Sequence, residues 1–147
     1  MDKKEYLNEL NSITTKYDVD KDLFKGGCAF AAAVLARELE TMGIKYEVIC
    51  YVFPCFNDDY NPIKRGESCA HVAVKVNCGR KKMLIGGDIM EPWYMEVNVG
   101  MMKSDEITRY YRKIYRKGEW NLTWSAMYNS SYSRACRRAT QRYISAA

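Results

Sequence analysis

The 147-residue chain has one histidine, His71, and one glutamine, Gln141. It has no apolar run long enough to cross a bilayer, which argues against a helical membrane protein. Its first residues, Met1-Asp2-Lys3-Lys4-Glu5, are polar and contain no apolar h-region, so no secretory signal peptide is expected. The six cysteines (Cys28, Cys50, Cys55, Cys69, Cys78 and Cys136) are then expected to be reduced thiols in a cytoplasmic protein, not a disulfide framework. No Cys-x-x-Cys pair is present, and Cys50 and Cys55 bracket a strand end. That weakens a zinc site built from Cys50, Cys55, Cys69, His71 and Cys78. The aspartates of Asp18-Val19-Asp20-Lys21-Asp22 lack the downstream glycine and glutamate of an EF-hand loop. There is no internal repeat and no low-complexity tract. Acidic residues are scarce in one place only: residues 103–147 hold 3 Asp+Glu against 10 Lys+Arg, so the net charge of +5 belongs to the C-terminal third.

With 48% apolar and 28% charged residues, the chain is expected to form one globular domain, 1–147, long enough for a real core. Within it, about 20–90 reads as a central unit and about 103–147 as a basic, tyrosine-rich helical extension. The stretch Gly26–Gly43 organises the reading. A glycine pair opens a helix in which Phe30, Val34, Leu35, Leu39 and Met42 recur at helical spacing among alanines, and Gly43 fits a C-terminal stop. So few polar positions predict a helix buried on most sides. An earlier helix over 2–16 carries a stripe of Tyr6, Leu7, Leu10 and Ile13. Residues 44–53 predict a strand in the sheet interior, rich in β-branched and aromatic residues.

Residues 54–68 read as a long loop of the kind that often serves as a lid or substrate wall. Cys69–Val76 alternates as a strand, with Val72, Val74 and Val76 on one side and His71, Ala73 and Lys75 on the other. Asn77–Arg80 predicts a hairpin turn around Gly79, and 82–86 its return strand. Pro92, Trp93, Tyr94 and Met95 begin an irregular, aromatic segment. A helix opens at Ser104-Asp105-Glu106 and ends at Gly118. A last helix from about Ser130 presents Tyr132, Ala135, Cys136, Ala139 and Tyr143 on one face.

Three residues carry chemistry in this layout. Cys28 sits in the first turn of the central helix, where unpaired N–H groups and the helix dipole favour a thiolate. His71 stands on a strand. Counting back from a turn at 77–80 places it across from 85–87, within reach of Asp88. If the central helix packs on this sheet, a thiol nucleophile (Cys28), a base (His71) and an orienting carboxylate (Asp88) converge, with the Cys28 N–H as one oxyanion donor.

The order Gly-x-Cys opening a buried helix, a Gly-Ile step into a strand, His71-Val72-Ala73-Val74 on a strand and an acidic residue after the next strand resembles the papain-like superfamily of cysteine enzymes. It is most similar to the transglutaminase-like and NlpC/P60-like arrangements. The resemblance covers about 20–90 and implies an α+β papain-like fold in which a central helix carrying Cys28 near its N-terminus packs on an antiparallel sheet. It implies Cys28 as nucleophile, His71 as base and Asp88 as orienter. The glutamine that papain-type enzymes place before the nucleophile is absent, so Tyr17 or another N–H is expected to serve the oxyanion. The tryptophan common near the histidine of transglutaminase-like sequences is also absent; Ala73 and Val74 stand there.

The expectation is therefore a cysteine-dependent hydrolase or acyl transferase (peptidase, deamidase or transglutaminase-like) acting on a protein or peptide substrate. It would need no cofactor and no metal. Tyr60, in the 54–68 loop, and Trp93 are its candidate substrate walls. The alternative is a non-catalytic papain-like binding protein. It would use the basic, aromatic C-terminal helices (Arg109, Arg112, Lys113, Arg116, Lys117; Arg134, Arg137, Arg138, Arg142) to hold nucleic acid or an acidic protein.

Overall fold

A computed structural model describes residues 1–17, 27–52, 69–87, 94–114 and 129–146. The connector at 18–22, the loop at 54–68 and the helix stop at Gly118 lie outside these residues. The described chain is a layer of helices on one face of a sheet: α1 (Lys3–Tyr17), α2 (Gly27–Thr41), β1 (Tyr46–Val52), β2 (Cys69–Cys78), β3 (Lys81–Ile85), β4 (Met95–Gly100), α3 (Ser104–Ile114) and α4 (Ser131–Ala146). The strands form one antiparallel sheet in the order β3-β2-β1-β4. The protein is thus an α+β fold, with β1 in the sheet interior as its continuous apolar run predicts.

α2 is the buried centre. Ala29 through Ala36 are all buried, as is Leu39. The alanines let the helix sit close to β2 on one side and to α3 and α4 on others. Its end is built from a glycine motif: Gly43 takes φ +68°, its N–H donates to the Glu40 carbonyl at 3.0 Å, and the Ile44 N–H donates to the Leu39 carbonyl at 2.9 Å. This pair of bonds closes the helix and reverses the chain directly into β1.

On the sheet, Val48, Cys50 and Val52 of β1 and Val72, Val74 and Val76 of β2 belong to the core shared with the helices. The opposite face carries a smaller cluster of Ile49, Tyr51 and Ala73, with Leu84 and Tyr94 against it. Around that cluster the face is charged: Lys75 pairs with Glu96 at 2.6 Å and Lys82 with Glu47 at 3.1 Å.

Two local expectations change. β2 continues through Asn77 and Cys78, so the turn is Gly79-Arg80 alone, and Cys78 pairs with Lys81. The ladder with β3 ends at Val74 opposite Ile85, short of His71. The segment expected to be irregular after Trp93 contains β4, an edge strand that pairs Glu96 with Tyr51 and Val97 with Cys50.

The helix layer is tied together by polar groups. Asp2 caps α1, its carboxylate accepting the Glu5 N–H at 2.8 Å, and Ser130 caps α4, its hydroxyl accepting the Ser133 N–H at 3.2 Å. The start of α3 is capped from another helix: Glu40 Oε1 accepts the Ser104 N–H at 2.9 Å and the Tyr46 hydroxyl at 2.7 Å. α1 and α4 pack together, with the Tyr6 ring stacked on Tyr143 at 4.6 Å and the Tyr6 hydroxyl 2.8 Å from Thr140 Oγ1.

Candidate active site

The turn at Gly43 makes α2 and β1 an antiparallel pair. Fifteen helical residues span about 22 Å, and seven strand residues about 23 Å. The first turn of α2 is therefore carried back to the end of the sheet where β1 finishes and β2 begins. Cys28 lies in that turn, half-buried against the helix-side core. His71 lies at the same end, two residues into β2 and directly across from Tyr51.

A chain of contacts links the two regions. The Phe30 ring is 6.1 Å from that of Tyr132, and the Tyr132 hydroxyl is 2.8 Å from Thr14 Oγ1. Thr14 Cγ2 lies 3.5 Å from where a Cβ on Gly86 would be, and the Gly86 carbonyl is bonded to the ring of His71.

Cys28 and His71 approach this end from different sides of β2. Directly opposed residues on neighbouring strands share a face, so His71 shares the face of Tyr51, Ile49 and Ala73. Its ring centroid is 6.3 Å from that of Tyr51. α2 packs on the other face, against the valines. The register of β1 and β2 shifts between Tyr51 and Val52, where Val52 pairs with Cys69. Such a bulge re-aims side chains at the end of a strand, and His71 is the β2 residue beside it.

The histidine is held in a defined way. Nε2 of His71 is hydrogen-bonded to the Gly86 carbonyl. A carbonyl oxygen only accepts, so Nε2 carries the proton and Nδ1 holds the lone pair in the neutral ring. Gly86 is itself placed by α1: its N–H donates to Asn11 Oδ1 at 3.1 Å. Gly86 has φ +82°, a conformation that suits glycine. Gly87 is glycine for a different reason. A Cβ there would fall 2.3 Å from Leu84 Cδ2 and 3.4 Å from Ala73 Cβ, so the bare backbone lies close over the sheet.

The other candidates fall as follows. Asp88, Tyr60 and Trp93 lie outside the described residues. Tyr17, the expected oxyanion donor, packs against the helix-side core at the end of α1, its ring edge-on to Tyr132 at 6.2 Å with the Lys16 ammonium over it. Cys28, Cys50, Cys78 and Cys136 are thiols. Cys136 is buried, and that burial pushes its pKa up to about 12, which makes it inert beside an activated thiol.

Among the described residues no group of three His, Cys, Asp or Glu is placed to hold a metal ion, and no described helix is long and apolar enough to cross a membrane. On α4, four arginines stand with no acidic residue. Arg142 pairs with Glu9, and Arg137 bonds the Ser133 hydroxyl at 3.5 Å. Arg134 and Arg138 point outward.

Asn11 and Gly86 were not singled out by the sequence pattern. A signal existed for Asn11: it is four residues after Leu7 and next to Leu10, a polar residue on the inward side of an apolar stripe. The chain matches no protein-family model, no characterised protein and no solved structure.

Proposed function

We propose that the protein is a cysteine-dependent hydrolase or acyl transferase with a papain-like, transglutaminase-like arrangement, acting on an amide or thioester bond. One observation supports the reading: α2 runs back toward the end of the sheet where the sole histidine stands, so that Cys28 and His71 reach that end from opposite faces of β2, beside the bulge at Tyr51/Val52, with Nε2 of the ring held by Gly86 and Nδ1 as its basic atom. In this mechanism Nδ1 of His71 takes the Cys28 proton, and the thiolate attacks the substrate carbonyl. The leaving amine or thiol departs with that proton, and the resulting acyl-enzyme passes its acyl group to water or to an amine. Backbone N–H groups of the first turn of α2, that of Cys28 among them, stabilise the oxyanion.

The test is the rate of iodoacetamide labelling at each cysteine against pH, read by peptide mass spectrometry in wild type and His71→Ala. A thiolate–imidazolium pair makes Cys28 react much faster than the other cysteines below pH 7, and His71→Ala removes that advantage. If Cys28 titrates like an ordinary thiol, near pH 8.5, and ignores the loss of His71, the reading is wrong.

A further inference from the structure

We propose that Asn11 is a positioning residue for His71, acting through the carbonyl of Gly86, and that this backbone group takes the orienting role that the sequence pattern gives to Asp88. The inference rests on the acyl-transfer reading for its purpose, but its geometry stands apart from that reading.

An imidazole has two ring nitrogens. The Gly86 carbonyl engages Nε2. A base that receives the Cys28 proton uses the other, Nδ1, so the bond at Nε2 is the one that sets the tautomer and the plane of the ring. The carbonyl must be fixed to do this, because a floppy acceptor neither selects a tautomer nor holds the plane of the ring.

Three features fix it. Asn11, on the rigid frame of α1, accepts the Gly86 N–H. Gly86 takes the positive φ that turns the chain at the end of β3. Gly87 lets the following backbone lie close over Leu84 and Ala73. α1 is in turn anchored on α4, where Tyr132 bonds Thr14 one turn beyond Asn11. The precision of the ring thus comes from packed helices and not from a loop.

Because His71 is the only histidine, one imidazole spin system reports on the arrangement. The experiment is a two-bond ¹H–¹⁵N correlation spectrum of ¹⁵N-labelled protein above pH 8, with the exchange rate of the ring N–H. The wild type is expected to show the bonded proton on Nε2 and protected from solvent. Asn11→Leu is expected to speed its exchange by about tenfold, the factor lost with one hydrogen bond. Asn11→Asp, which keeps an oxygen acceptor at the same reach, restores protection. Asn11→Ser is too short to reach Gly86 and replaces the leucine variant if that one does not fold.

The proposal is overturned if the protected proton is on Nδ1. It is also overturned if folded Asn11→Leu or Asn11→Ser exchanges as slowly as wild type, or if Asp88→Asn and not the Asn11 variants releases the ring. Cysteine labelling separates the two ideas. An inert Cys28 with a protected Nε2 proton removes only the acyl-transfer reading. A reactive Cys28 with the proton on Nδ1 removes only this one.

Discussion

Tyr46→Phe takes one oxygen from the point where α2, β1 and the start of α3 meet. Tyr46 is 3% exposed. Its hydroxyl proton is shared between Glu40 Oε1 at 2.7 Å and the Met102 carbonyl at 2.8 Å. The ring stays in place, so the loss is almost purely the hydrogen bond. A bond to a charged acceptor contributes about 1.5–3 kcal/mol, and the Met102 carbonyl is left short of a donor. A loss of about 2 kcal/mol is expected, which for a chain of this size lowers Tm by about 4–8 °C.

Glu40→Ala removes the same bond and also the cap on the Ser104 N–H, worth about a further 1 kcal/mol. The double variant decides the argument. If both changes act on one carboxylate oxygen, their costs overlap, with a coupling of about 1 kcal/mol or more. Urea unfolding followed by circular dichroism measures all four proteins, with equal m-values as the check that the unfolded state is unchanged. Costs that add to within about 0.5 kcal/mol would refute the view that Glu40 is the shared acceptor joining these elements.

Glu38 provides a pH test. It is buried at 6% exposure, and that burial raises its pKa above the ordinary 4.5, opposed by the Thr140 hydroxyl and by Arg37 and Arg137. Below the ordinary value the carboxyl is neutral both folded and unfolded, and no penalty arises. As pH rises through the elevated folded value, the fold holds a charge it disfavours and stability falls. Glu38→Gln is therefore expected to gain on wild type progressively as pH rises from 4 to 8, measured by urea midpoints; a gap that stays constant with pH would remove the argument. Gly43→Ala is expected to cost about 1 kcal/mol by thermal melting, because φ is +68° while nothing lies within 4 Å of the added methyl. Gly43→Asn should cost less, and equal costs would mean that the left-handed backbone is not the cause.

Long apolar periodicities were legible in the sequence. The stripe Tyr132, Ala135, Cys136 and Ala139 is buried on α4, because helical spacing repeated over about two turns has one way to bury itself. The valines of β2 face the helices for the same reason at period two. β4 was hidden: Met95, Val97 and Val99 alternate, but over six residues beside Pro92 and Trp93 the signal is short. The hairpin register depended on whether Asn77 and Cys78 belong to the turn or the ladder, which local composition does not decide.

Ser104 reads as a cap. The group that caps α3 is Glu40, 64 residues earlier, and no local pattern contains such a partner. The hold on His71 is of the same kind. Asn11 and Gly86 are 75 residues apart, and their meeting is a product of α1 packing beside β3.

The pairing of α1 with α4 has a consequence for synthesis. The inward face of α1, with Tyr6, Leu7 and Leu10 fully buried, finds Tyr143, Thr140 and Tyr132 only after more than a hundred further residues have been made. At about 5–20 residues per second, the first helix leaves the ribosome and waits roughly 6–25 s for its partner. During that interval its apolar stripe is open to water and to other nascent chains. The contact of Tyr6 with Thr140, 134 residues away in sequence, closes late, and a ribosome stalled before α4 would release a chain whose first helix has β3 but not α4 to pack on.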